Sequence, residues 1–209
     1  MNSTLNTMPT LMTGCDYATW GDEELLLEYR KTQNRDAFNQ LVIRYERELY
    51  SYLCNYLGNQ SNAEDVFQTT FVKIIQNLHL FEEGRKFRPW MYTIAINLAK
   101  DLLARRKRFS VISIDAENTN EEYSGSIAET LEGKEMTPVD EALNAEAAKQ
   151  VRDAMEKLPD HYRQALYLVY FQGLKYEEAA ESLGIAKGTI SGRLRHAITK
   201  LNSLMQSGK

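Results

Sequence analysis

The chain of 209 residues is 43% hydrophobic and carries 25 basic against 29 acidic side chains, a formal net charge of −4. A hydrophobic fraction of this size is sufficient for compact cores and excludes global disorder. No segment approaches the 18 uninterrupted apolar residues of a membrane-spanning helix, and the N-terminus lacks the basic start and apolar run of a secretory signal. We therefore expect a cytoplasmic protein with no membrane insertion.

Residues that hold metals or act as nucleophiles are few and scattered. Cys15 and Cys54 form no metal-binding spacing, and the three histidines lie far apart at His79, His161 and His196. The sequence also contains no phosphate-binding loop and no nucleophile–base constellation. We expect two reduced thiols, no metal, no cofactor and no enzymatic activity.

Apolar residues recur with a period near 3.6 and strand-like alternation is hard to find, so the sequence predicts an all-α fold. Residues 22–57 predict one or two helices, with a break at 34–36 and an end at Gly58. The next helix is predicted from Ser61, which has the spacing of a capping box with Glu64.

The segment 87–108, FRPWMYTIAINLAKDLLARRKR, predicts a fourth helix with Pro89 at its first position. One face carries polar groups at steps of four, four and three residues, namely Asn97, Asp101, Arg105 and Arg108. Trp90 and Tyr92 stand near the start, and rings beside cations suit single-stranded nucleic acid, which gains about 1–3 kcal/mol for each stacked base. The pattern fits equally well a core position for Trp90 and arginines that stabilise the C-terminal end of the helix.

Charge divides the chain into parts. Residues 109–141 hold nine acidic side chains and one lysine, together with two glycines and no sustained helical period. This composition predicts a flexible acidic linker. We therefore expect a variable tail at 1–20, a first helical domain at 21–108, and a second one at 142–205.

The segment 176–201, YEEAAESLGIAKGTISGRLRHAITKL, has the spacing of a helix-turn-helix. Ala180 permits close helix crossing, Gly184 permits the turn, and Ile190 packs beneath. The second helix is predicted to begin near Lys187 or Gly188, and it is basic, as a helix in the major groove of DNA should be. An ordinary helical hairpin is the alternative.

Taken together, three stretches resemble the extracytoplasmic-function sigma factors, which are two-domain initiation subunits of bacterial RNA polymerase. They are SNAEDVFQTTFVKI (61–74), the fourth helix at 87–108, and residues 158–194 around the helix-turn-helix. The resemblance implies an N-terminal bundle like sigma region 2 and a C-terminal helix-turn-helix domain like sigma region 4. It also implies that the linker follows the polymerase channel toward the RNA exit.

The resemblance assigns roles to residues. Docking on the clamp helices of the polymerase β′ subunit is implied for Glu64, Asp65, Gln68, Thr69 and Phe71. Reading of the promoter −10 element is implied for Trp90, Tyr92, Asn97, Lys100, Asp101, Arg105, Arg106, Lys107 and Arg108, and the loop at 80–87 would shape a pocket for a flipped base. Reading of the −35 element, with the domain held on the β flap, is implied for Lys187, Gly188, Thr189, Ser191, Gly192, Arg193, Arg195 and His196. The family often has a further partner, an anti-sigma factor.

The sequence departs from the family pattern in two places. Ser191 and Gly192 stand where many relatives have a basic residue followed by serine, and His196 stands near an expected arginine. A glycine in this helix removes one possible base contact and costs roughly 1 kcal/mol of helix stability relative to alanine. The alternatives are a helix-turn-helix regulator that is not a polymerase subunit, and an interaction protein that has lost promoter binding.

Overall fold

The first domain contains four helices, and their breaks follow the local chemistry of the sequence. In the computed structural model, which describes residues 16–112 and 149–207, they are α1 (Asp22–Thr32), α2 (Arg35–Leu57), α3 (Gln60–Gln76) and α4 (Phe87–Ile112). Asn34 caps α2 by accepting from the amide of Asp36 at 2.9 Å, and Gly58 ends it in the left-handed conformation. These described segments contain helices and turns and no strand, so the all-α prediction is confirmed.

Two helix starts differ from the prediction. The N-cap of α3 is Asn59, whose side chain accepts from the amide of Asn62, so the capping box predicted at Ser61 is wrong. The start of α4 is Phe87, and Pro89 is its third residue rather than its first. Proline remains compatible with this position, because the first four amides of a helix have no partner within the helix. The Phe87 amide instead donates to Glu23 Oε1 at 3.0 Å.

The second domain is described from residue 149. A helix over 149–156 (α5) precedes α6 (Asp160–Leu166), which continues as one π-helical turn, Tyr167–Phe171. The helix-turn-helix follows as α7 (Tyr176–Leu183) and α8 (Lys187–Ser207). The start of α8 at Lys187 agrees with the sequence pattern.

The predicted tail and linker fall mostly outside the described residues. Residues 1–15, with Cys15, and residues 113–141 are in this group. The end of α4 at Ile112 lies four residues beyond the domain boundary expected at 108.

The two domains pack against each other. In the first domain, α2 lies between α1 and α3, and α4 covers α3. The helix α7 packs on the start of α4, where Ser182 Oγ donates to the carbonyl of Pro89 at 3.3 Å. The π-helical turn meets α2 where the Tyr167 ring stands edge-on to the Tyr52 ring, with centroids 6.3 Å apart. Within the described residues no helix is long and apolar enough to cross a membrane.

Replacing each of two glycines of the helix-turn-helix by alanine should change the free energy of unfolding in opposite directions. Gly184 has a φ of +64° and no atom within 4 Å of the position that a Cβ would occupy, so Gly184→Ala should cost about 1–2 kcal/mol through backbone strain alone. Gly192 lies inside α8 with the same open space around it, so Gly192→Ala should stabilise by about 1 kcal/mol. Urea unfolding followed by helical circular dichroism measures both, and shifts of the same sign would contradict these roles.

Candidate functional site

The α3 surface, which we define as Glu64, Asp65, Gln68 and Thr69, is exposed along one side of the helix. The Gln68 amide donates to Glu64 Oε1 at 3.3 Å, which joins two of its members. Beside it runs a groove of about 610 Å³ between α2 and α3, lined by Ile43, Glu46, Arg47, Tyr50, Glu64, Phe67 and Gln68. An apolar floor with charged groups around it is suited to binding another helix.

Glu64 and Gln68 belong both to the α3 surface and to the lining of this groove, so the two form one continuous face. Ile43 on α2 is 64% exposed at its edge, although an isoleucine is usually buried. The α2 residues of this face were not predicted from the sequence. The signal that could have found them was that Ile43 falls outside the apolar stripe of α2.

Phe71 does not belong to this face. Its side chain is 6% exposed and stands edge-on to the rings of Phe38, at 6.0 Å, and Phe67, at 5.1 Å. The prediction that Phe71 contacts a partner directly is therefore wrong in this structure. The ring packs α3 against α2 and so supports the α3 surface from beneath.

The polar face of α4 is exposed as the sequence predicted. Asn97, Asp101 and the four cations from Arg105 to Arg108 are exposed, and Lys100 is half-buried. Arg108 Nε donates to the carbonyl of Ala104 at 3.4 Å. With the Asn62 amide turned so that its oxygen faces the guanidinium, Arg106 donates to it at 2.9 Å, which ties the cationic end of α4 to the start of α3.

Trp90 and Tyr92 do not join that face. Trp90 is 6% exposed and packs on Phe81 with centroids 5.0 Å apart, and Tyr92 is fully buried. The Tyr92 hydroxyl donates to Glu48 Oε1 at 2.7 Å. Burial first and this carboxylate second raise the pKa of Tyr92 well above its usual value. The prediction that these two rings stack on bases is therefore wrong in this structure, and for Trp90 the alternative of a core position holds.

Gly184 forms the turn of the helix-turn-helix at the end of α7. The Gly184 amide donates to the carbonyl of Glu181 and the Ile185 amide to that of Ala180, both at 3.0 Å, which closes the end of α7. Ala180 and Ile190 are buried between the helices. Of the residues predicted to face DNA, six are exposed and two are half-buried; the exposed ones are Lys187, Gly188, Thr189, Ser191, Arg195 and His196, and the half-buried ones are Gly192 and Arg193.

One of these cations is already paired. Lys187 Nζ contacts Glu177 Oε1 across the turn, between the start of α7 and the start of α8. This hydrogen bond is the main reason why the pKa of Glu177 lies below its usual value. The pair therefore places a carboxylate beside the helix that was predicted to meet phosphates.

Comparison with known proteins agrees with this arrangement. Residues 41–109 match the family described as Sigma-70 region 2, and residues 148–201 match the family described as Sigma-70, region 4. The chain is 33% identical over 177 residues to the ECF RNA polymerase sigma factor SigW of Bacillus subtilis. The match covers 81% of this chain and 91% of that protein. The chain belongs to the extracytoplasmic-function sigma factor family. It is a subunit for transcription initiation and not an enzyme.

Other relatives agree with this assignment. The ECF RNA polymerase sigma-E factor of Escherichia coli K12 is 31% identical over 186 residues, which is 88% of this sigma factor and 94% of that one. Among solved structures, CnrH in complex with the cytosolic domain of CnrY matches with a TM-score of 0.63 at 23% identity, over 90% of this chain and 99% of that one. This structural likeness supports the fold.

The pairing of Lys187 with Glu177 predicts a pKa change. Lys187→Met should raise the pKa of Glu177 toward the usual glutamate value of about 4.3, while Lys175→Met, which removes only a weaker charge effect, should raise it less. Because the pKa is lowered in the folded state, any stability from the pair is present above the usual pKa and lost as the pH falls through the lowered one. Titration of the Glu177 carboxyl carbon by NMR measures this, and equal shifts in both variants would contradict it.

Proposed function

We propose that this sigma factor docks on core RNA polymerase through the α3 surface and the adjoining groove, reads the −10 element with the polar face of α4, and reads the −35 element with α8. The observation that carries the proposal is the exposure of all three surfaces on one chain whose cores are otherwise closed. Each surface has a chemistry that suits its ligand. As a factor that acts with bacterial polymerase, the chain works in the cytoplasm.

Docking on polymerase is supported by the shape and charge of the first surface. A groove of about 610 Å³ between two helices, with Ile43 exposed at its edge, suits the side chains of a helical partner. Glu64 and Asp65 add negative charge, which would meet basic groups on that partner and fix the register of docking. We propose the β′ clamp helices as this partner and the β flap as the partner of the second domain.

Reading of the −10 element is supported by the polar face of α4. Asn97 and Asp101 can make hydrogen bonds to base edges, and the cations from Arg105 to Arg108 can neutralise phosphates of the displaced strand. Since Trp90 and Tyr92 are buried, base stacking on these two rings contributes nothing in this arrangement. Recognition by α4 then depends on hydrogen bonds and charge.

Reading of the −35 element is supported by the exposed start of α8. Thr189 and Ser191 can donate to or accept from base edges, and Arg195 can meet a base or a phosphate. Gly192 offers no side chain, and Lys187 is held by Glu177. We therefore propose that this domain reads fewer bases directly and depends more on DNA shape.

A protein partner is also supported. The neighbour CnrH is bound to the cytosolic domain of CnrY, and RpoE of Bartonella quintana, which matches with a TM-score of 0.61 at 24% identity over 82% of this chain and 98% of that one, is bound to the anti-sigma factor NepR. We propose that an anti-sigma factor binds this chain as well.

The first test is run-off transcription with bacterial core polymerase, with and without the sigma factor, on fragments of the genome that encodes it. The expected result is a set of discrete transcripts that core polymerase alone does not produce, and alignment of their start sites gives both promoter elements. Stable binding to core without transcripts would indicate an interaction protein. Binding to DNA without binding to core would indicate a helix-turn-helix regulator.

If the α3 surface docks on polymerase, reversing a charge on it should lower the affinity for core. Asp65→Arg reverses an exposed charge on the α3 surface and should weaken binding at least about tenfold, or about 1.4 kcal/mol, because like charges then meet in the interface. Asp36→Arg makes the same change at the start of α2, outside that surface, and should leave the affinity within a factor of two or so. Titration of labelled protein with core measures both, and equal losses would count against this docking site.

A further inference from the structure

An ion pair joins the two helices of the helix-turn-helix at the ends where they begin. Glu177 is the second residue of α7 and Lys187 is the first residue of α8, and Lys187 Nζ contacts Glu177 Oε1. The side chains of Glu177 and Lys187 are 57% and 69% exposed. The pair therefore lies on the outside of the domain, beside the start of the helix that we assign to the −35 element.

The fold of the domain does not depend on this pair. The two helices pack through buried Ala180 and Ile190. The start of α7 is capped by Glu178, the neighbour of Glu177, because Glu178 Oε2 accepts from the Lys175 amide at 2.9 Å. An exposed ion pair contributes little to stability. Glu177 is therefore available for a task outside the fold.

The place where the two helices begin favours negatively charged ligands. The first amides of a helix have no partner within the helix, and the aligned peptide dipoles add partial positive charge there. Phosphate groups of DNA suit such a place, and a flexible lysine at the start of α8 would add a full charge to attract them.

Glu177 brings a carboxylate to this same place. Its pKa lies below the usual glutamate value, mainly because of the hydrogen bond from Lys187, so the carboxylate is ionised at neutral pH. The charges of the two side chains then cancel, and a neutral pair releases no counterion from DNA. The lysine so held adds nothing to the salt-dependent part of DNA binding.

We propose that Glu177 is a positioning residue for DNA binding, which holds Lys187 away from the phosphate backbone and so removes one backbone contact that α8 would otherwise make. The inference rests on the proposed function, because Lys187 matters only if α8 meets DNA. A backbone contact carries no sequence information. Its removal lowers the affinity for every duplex and leaves the base contacts of Thr189 and Ser191 a larger share of the binding energy.

The salt dependence of DNA binding tests this role in the full chain. Glu177→Gln keeps the size of the side chain and removes its charge, so Lys187 is released to a phosphate. The plot of log affinity against log salt should become steeper by about 0.9, the value for one phosphate contact. The gain in affinity should shrink about 3.5-fold between about 50 and 200 mM salt. The probe is a fluorescein-labelled duplex of random sequence, and the measurement is anisotropy.

Two further variants show whether the effect acts through the lysine. Lys187→Met should leave the slope nearly unchanged in the native chain, where the lysine is held, and should lower it by about 0.9 in the Glu177→Gln background. Glu156→Gln is the matched control, because it removes the same charge from an exposed glutamate on α5, outside the helix-turn-helix. It should leave the slope as it is in the native chain.

The outcomes separate this inference from the sigma role, because binding to a random duplex needs no polymerase. If Lys187→Met lowers the slope equally in both backgrounds, Lys187 already contacts a phosphate and the inference is overturned. A slope that responds to Glu177→Gln no more than to Glu156→Gln overturns it as well. If the slope responds as expected but the chain does not bind core, the role of Glu177 stands and the sigma role fails.

Discussion

The hydrogen bonds of Glu48 hold the start of α4 and, through Arg88, connect it to the second domain. This half-buried carboxylate on α2 accepts from Arg88 at 2.7 Å and from the Tyr92 hydroxyl at 2.7 Å. Burial alone would lower the pKa of Arg88, but the hydrogen bond and charge of Glu48 outweigh it and the net shift is upward. The guanidinium therefore stays charged while it reaches the second domain, and one carboxylate orients α4 and, through Arg88, the turn at Gln172 that precedes the helix-turn-helix.

Local sequence chemistry predicted the breaks between helices well. Asn34, Gly58 and Gly184 each act through their own backbone or side chain, so their effect is visible without knowledge of the neighbours. The start of α3 was harder, since Asn59 and Ser61 are both good caps and lie two residues apart. The helix uses Asn59, whose side chain accepts from the Asn62 amide at 2.9 Å.

The difference between local chemistry and tertiary packing also explains which residues of the candidate site were predicted correctly. Charged residues on the outer face of α4 were predicted correctly as exposed, because burying unpaired charge is costly. Trp90, Tyr92 and Phe71 were misassigned because aromatic rings suit both a core and a ligand. For Trp90 and Tyr92 a second reason is that the first half of α4 is covered on more than one side, by α3 and by α7. The contacts with the second domain join residues more than 80 positions apart, such as Arg88 and Gln172, and no local pattern encodes them.

Charge and domain packing act in the same direction on the free chain. The acidic segment at 109–141 makes the whole chain anionic, although both helical domains are mildly basic, so long-range attraction to DNA is weak. In this structure the start of α4 is also covered by α7. For both reasons we expect the free chain to bind DNA weakly, so that selective binding to promoters depends on the complex with polymerase.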